Sequence, residues 1–314
     1  MTRTRLAVSV AALGLAVLGA CGSPSAPSPG SATPGDGQTG AACAKRSQQV
    51  GDGSVEQPCD DTRVGAACAK DSLHLLTPGK LTVGTDSPAY EPWFVDNDPS
   101  NGKGFESAVA YAIAGKLGFT KDEVTWQVVP FNTAIAPAPK NFDFDVNQIS
   151  ISEQRRKAVD FSSGYYDVRQ AVVTYKGSPI DGKTSIADLK GAVLAAQVGS
   201  TSYTALTEQI KPSQDPKVFD TNDLAVQALK NKQIDGVVVD VPTAFYMVAA
   251  QLDDGVIVGQ LPTVGQPEQF GAVLDLHSPL TPCVTEAVDA LRADGTLEKL
   301  QERWLTNAGA PELK

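Results

Sequence analysis

Arg155 stands in a run of three cations, Arg155-Arg156-Lys157. A guanidinium in a dry pocket can hold both oxygens of a carboxylate, whereas the same run on a helix face is simply solvated, which is the reading local composition favours. Asp240 ends the apolar stretch Val237-Val238-Val239 and precedes Val241-Pro242. A carboxylate there either caps the next helix or is free to receive an ammonium group. Asp86, just before Ser87-Pro88, either holds a turn or faces the distal group of a ligand. Tyr90, Trp93 and Phe131 offer flat rings that could wall a pocket, although local sequence alone places Trp93 and Phe131 in a core. Catalytic spacings are missing: there is no G-x-S-x-G, no H-E-x-x-H and no C-x-x-C, and histidine occurs only as His74 and His277. An enzyme would have to work through a carboxylate such as Glu91. No metal ligand set and no cofactor motif is legible.

These residues need a frame, and the pattern supplies one from Lys80 onward. Leu81–Thr85 reads as a buried strand, and Glu106 to Leu117 as a helix with Val109, Ile113 and Leu117 four apart and Gly118 as its stop. Val124–Val129, Ala192–Val198, Lys217–Phe219 and Gly236–Val239 read as strands, with helices at Tyr203–Ile210 and Asp223–Asn231. A last helix, Gly295–Leu305, puts Leu297, Leu300 and Trp304 on one core-facing side. Alternation of this kind implies α/β sheets flanked by helices, with ligands at the carboxyl ends of strands.

The whole chain sets the setting. It has 314 residues and a net charge of −10, which argues against a nucleic-acid partner, where cationic side chains must neutralise phosphates. Arg3 and Arg5 precede an apolar run from Leu6 that ends in Leu18-Gly19-Ala20-Cys21. The run would cross only about 22 Å as a helix, short of the roughly 30 Å hydrocarbon core, and reads as a cleaved export signal over residues 1–20. Small residues before Cys21 resemble a bacterial lipobox, in which that cysteine is acylated and anchors the mature chain to the outer face of the membrane. Residues 21–67 are then a Gly/Ser/Pro/Ala-rich tether. Four cysteines remain for an oxidising compartment and allow three pairings; the expected one is Cys43–Cys59 and Cys68–Cys283.

Together, Leu81-Thr82-Val83-Gly84-Thr85-Asp86, Ala89-Tyr90-Glu91-Pro92-Trp93-Phe94, Gly104-Phe105-Glu106, Ser150-Ile151-Ser152-Glu153-Gln154-Arg155 and Val159-Asp160-Phe161-Ser162 resemble the polar amino-acid-binding family of extracytoplasmic solute-binding proteins that feed ABC importers. The likeness continues through Asp188-Leu189-Lys190-Gly191, Gln197-Val198-Gly199-Ser200-Thr201, Asp235 to Asp240 and Ala293-Asp294-Gly295-Thr296. The resemblance implies a periplasmic-binding-protein-like fold: two α/β lobes joined by a two-strand hinge, each a mostly parallel sheet flanked by helices. Lobe 1 would be 68–168 and 269–314 and lobe 2 would be 169–268, with crossings near Tyr166–Gln170 and Pro267–Phe270. It implies a monomer that binds a free amino acid and hands it to an ABC permease and its ATPase. Arg155, with Ser150 and Thr201, would clamp the carboxylate, Ser200 would lie in the same loop, and Asp240 would receive the α-ammonium. Asp86 would face the distal group, while Tyr90, Trp93 and Phe131 would form walls. Asn147-Gln148 depart from the small residues usual at that place, so Gln148 would either bind a polar side chain or fill the pocket. Asp86, Glu91 and the overall acidity favour a cationic or neutral polar ligand. A sensing lipoprotein without transport and, further off, a dehydratase-like enzyme are the other functions this fold carries.

Overall fold

The computed structural model describes residues 64–305 and 309–314. The signal segment, Cys21, the Cys43–Cys59 pairing and the tether up to residue 63 lie outside the described residues. The rest belongs to one compact unit.

Two five-stranded sheets are built on one plan. In the first, β1 (Leu81–Thr85) runs parallel to both β2 (Val124–Val128) and β3 (Phe144–Asp145). The same sheet continues through β10 (Glu268–Asp275), antiparallel to β3 and to β4 (Val159–Val168). In the second, β6 (Leu194–Gln197) is parallel to β7 (Lys217–Phe219) and β8 (Gly236–Asp240). Here β5 (Gln170–Tyr175) is antiparallel to β8 and to β9 (Gly255–Gln260). The sheets are therefore mixed rather than mostly parallel. The reason lies in the hinge: β4 leaves the first lobe where β10 enters it, and β5 enters the second where β9 leaves it. Neighbouring strands travelling in and out must oppose each other, because no crossover helix turns the chain back. Only Arg169 separates β4 from β5, and residues 261–267 join β9 to β10.

Helix α1 (Phe105–Lys116) forms where the four-residue spacing predicts it, and Gly118, at φ +86°, ends it. With α6 (Thr281–Ala293) and α7 (Thr296–Trp304) it covers an aromatic core of Trp93, Phe94, Phe105, Phe144 and Phe270. Gly104 is obligatory beside it: φ is +95° and a Cβ would strike the carbonyl of Trp93. Cys68, in the first turn, is bonded to Cys283 on α6, the pairing expected among the three that four cysteines allow. The folded lobe begins earlier than Cys68, however. Val64 packs on the core and the Gly65 N–H donates to Glu286 at 2.6 Å, so residues 64–67 belong to it rather than to the tether.

In the second lobe, α3 (Thr201–Ala205) and α5 (Val241–Tyr246) each continue into a single π-helical turn, Leu206–Ile210 and Met247–Gln251, and α4 (Asn222–Lys230) packs between strands. The end of the chain departs from the expected division. Residues 310–314, expected in lobe 1, lie on lobe 2: Gln260 N–H donates to Pro311 O, Leu313 N–H to Gln260 O, and Leu313 is buried with Val258 and Leu261. The edge of β9 offers Leu313 both backbone partners and a core. Among the described residues no helix is long and apolar enough to cross a membrane.

Candidate functional site

Strand ends from both lobes meet in one cleft, the place where loops at carboxyl ends converge. At the end of β1, Asp86 turns back to accept the N–H groups of Ser87 (2.7 Å) and Phe131 (3.1 Å). It thus holds the turn and the start of α2 (Phe131–Ala134), and it still lines the cleft beside Tyr90 and Phe131. The Tyr90 hydroxyl is buried without a hydrogen-bond partner, and burial together with the Asp223 carboxylate holds the phenol protonated.

Arg155 is 8% exposed, not on a solvated face. Its guanidinium donates to the carbonyls of Ser150 (2.6 Å) in lobe 1 and Gly199 (3.0 Å) in lobe 2, and lies 5.4 Å from the Phe131 ring. Burial lowers its affinity for its proton, while Glu268 and Asp240 oppose that. Gly199, at φ +72°, gives the left-handed turn between β6 and α3 that aims this carbonyl. Ser200 is the N-cap of α3: its hydroxyl accepts Tyr203 N–H and donates to Gln197 O. Thr201 Oγ1 approaches Ser150 Oγ at 3.3 Å across the cleft.

Asp240 resolves both local readings at once. It occupies the N-cap position of α5, but its side chain makes no capping bond and instead accepts Gln170 Nε2 at 2.8 Å. The same amide donates to Glu268 at 3.0 Å, and Glu268 accepts Ser150 Oγ at 2.5 Å. Burial, then Glu268, pushes the Asp240 carboxyl well above the usual range, so the pocket favours a cation beside it. Gln170 and Glu268, both at hinge strands, carry no local sequence signal for this role; only the pairing of β5 with β8 and of β10 with β4 brings them here.

Two expected binders have other duties. Trp93 is fully buried; its ring packs edge-on against Phe105, Tyr166 and Phe270, and Nε1 donates to Thr243 at 3.1 Å. It is core beneath the cleft rather than a wall, as its local sequence suggests. Gln148, at φ +50°, lines the cleft, yet its backbone N–H (2.7 Å) and its side-chain amide both donate to Glu106. Glu106 also accepts Tyr165 Oη at 2.5 Å; burial pushes its carboxyl up to about 7 against these bonds. The neighbouring Asn147 also lines the cleft, together with Ser202, Thr221, Asn222 and Thr243 from lobe 2. Among the described residues no group of histidine, cysteine or carboxylate side chains could hold a metal ion.

Two α/β lobes closing on a cleft that holds one buried guanidinium and a facing carboxylate define a solute-binding protein. Residues 81–307 match the model of the bacterial extracellular solute-binding proteins, family 3, and the chain belongs to that family. It is 29% identical over 233 residues to the arginine-binding extracellular protein ArtP of Bacillus subtilis, covering 72% of this chain and 86% of that protein. To the L-cystine-binding protein TcyJ of Escherichia coli it is 28% identical over 227 residues, 72% and 82% of the two chains. An ancestral arginine-binding protein bound to arginine superposes with a TM-score of 0.59 at 33% identity, covering 73% of this chain and 99% of that one. These relatives are binding proteins rather than enzymes, and the ligands they are named for differ, arginine in one and cystine in another.

Proposed function

We propose that the protein is an extracytoplasmic lipoprotein, anchored through Cys21, that captures a polar or cationic amino acid as a monomer and delivers it to an ABC permease with its ATPase. The observation that carries this reading is that Arg155 and Asp240, from opposite lobes, stand close enough where the lobes meet to interact electrostatically. Arg155 is already joined to backbone carbonyls of both lobes by two of its five N–H groups, leaving further donors for a ligand carboxylate, with the Thr201 hydroxyl 3.3 Å from Ser150 Oγ as another. Asp240, with Glu268 behind it, neutralises the α-ammonium. A zwitterion meets each charge with its opposite, which a dry site requires.

Tyr90 and Phe131 flank the side chain and Asp86 lies at its far end. The room between the lobes is about 40 Å³, well below the roughly 300–1,000 Å³ of ligand pockets, so loading requires the lobes to part and reclose. Closed-state contacts such as Trp93–Thr243 and Arg155–Gly199 join the lobes, and that shape is what a permease would recognise.

Calorimetry of the mature chain, freed of co-purified solute, against the amino acids tests the site. Micromolar or tighter binding is expected for one class, weakened by about 2–5 kcal/mol in Arg155→Ala and lost in Asp240→Ala. If Arg155→Ala binds as well as the parent, the cleft assignment is wrong. Cys21→Ala should release the protein from membranes; retention there defeats the anchor.

A further inference from the structure

The adjacent amides Asn147 and Gln148 have opposite fates. Gln148 spends its amide on Glu106. Asn147 is 7% exposed and lines the cleft, yet its Nδ2 is buried with no hydrogen-bond partner. An amide donor left unpaired in a desolvated place is unfavourable, and natural interiors seldom tolerate it. The groups lining the same cavity sharpen what would satisfy it. Each Asp86 oxygen already takes one backbone N–H and has a lone pair left for another donor. Tyr90 adds a buried hydroxyl beside the Asp223 carboxylate.

We infer that Asn147 selects the ligand's side chain and that the preferred solute is an α-amino acid ending in a carboxamide or ureido group. This rests on the amino-acid reading of the cleft given above. A carboxamide or urea carries an acceptor and donors side by side: its carbonyl takes the Asn147 N–H and its NH₂ serves Asp86 and Tyr90. Turning the Asn147 amide over exchanges its donor and acceptor, and the ligand's amide turns with it. A guanidinium or ammonium offers donors only and leaves the Asn147 N–H unpaired; a carboxylate satisfies that N–H but sets its charge against Asp86. Sites built on such complementary bonds discriminate strongly, because the wrong ligand leaves buried polar groups unpaired.

The test is competition calorimetry on the mature chain with near-isosteric pairs, citrulline against arginine and glutamine against glutamate, with lysine as a further cation. Citrulline and glutamine are expected to bind at least about tenfold tighter than their partners, and Asn147→Ala to bring each pair within about threefold. Asn147→Asp, of the same shape but accepting only, should reverse the first pair in favour of arginine. The inference is overturned if arginine or lysine binds the parent more tightly than either amide ligand, or if both variants keep the parent's preference. Binding that depends on Arg155 but shows no amide preference refutes the role of Asn147 alone; binding of no amino acid refutes the cleft reading with it.

Discussion

The two lobes share a strand plan and differ in what fills them. The first is packed with large rings, Trp93, Phe94, Phe105, Phe144, Tyr165 and Phe270, and is tied by Cys68–Cys283. The apolar clusters of the second are built from Ala, Val, Leu and Ile with Met247, and its helices α3 and α5 run into π-helical turns. The first also encloses Glu106, Asp145 and Arg155, all buried. The site follows this division. Asp86, Tyr90, Phe131, Asn147 and Arg155 stand on the ring-packed lobe, where interlocking fixes their positions. The second lobe contributes the Gly199 carbonyl, the Thr201 hydroxyl and Asp240 from strand ends and helix starts. A rigid reading surface faced by a simpler closing one suits capture followed by closure.

That contrast can be broken most forcibly at Trp93, whose ring joins the aromatic core to Thr243 of the opposite lobe. Trp93→Ala is expected to lower stability by about 3–5 kcal/mol in denaturant titration; a cost under about 1 kcal/mol would mean that the rings do not hold the first lobe. Next, replacing Cys68 and Cys283 together with serine frees a segment of 215 residues and should cost about 2–4 kcal/mol. An unchanged midpoint under non-reducing conditions would remove the staple from the comparison.

A third expectation concerns pH. Burial raises the Glu106 carboxyl from about 4.5 to about 7, so the folded protein binds this proton more tightly than the unfolded chain does. Its contribution is complete below pH 4.5 and is lost as pH rises towards 7, by up to about 3 kcal/mol. Stability measured across that window should fall less steeply in Glu106→Gln, and identical slopes would show that the carboxyl is ionised throughout. The smallest effect is expected at the tail: Glu312 and Arg169 pair at 3.5 Å but are about half exposed. Glu312→Ala should change stability by less than about 1 kcal/mol, and an effect of several kcal/mol would show that this exposed pair, and not the buried Leu313, holds the tail to the second lobe.

Much of this was legible from the chain. Strand β1, helix α1, the Lys217–Phe219 strand and the face of α7 follow from apolar periodicity, which local backbone geometry enforces. The Cys68–Cys283 bond is one of the three pairings the cysteine count allows, and the structure forms it. The ordered series of short blocks pointed to the family because such blocks keep their spacing to one fold. The series is what pointed Arg155 and Asp240 to a ligand; taken locally, one read as a solvated cation and the other equally as a cap or an ammonium receptor.

What the sequence determined by itself is therefore several of the elements, among them β1, α1, β7 and α7, and the list of charged groups available to a cleft. Tertiary structure decided which of them face a ligand. Trp93 sank into the core because rings from three separate segments meet it. Gln148 turned to Glu106 while its neighbour Asn147 was left unpaired, a choice set by α1 lying under the strand. Gln170 and Glu268 joined Asp240 because two hinge strands bring distant positions together, and the tail crossed to lobe 2 to satisfy the edge of β9. Each outcome depends on contacts between residues far apart in the chain, and no local pattern encodes them.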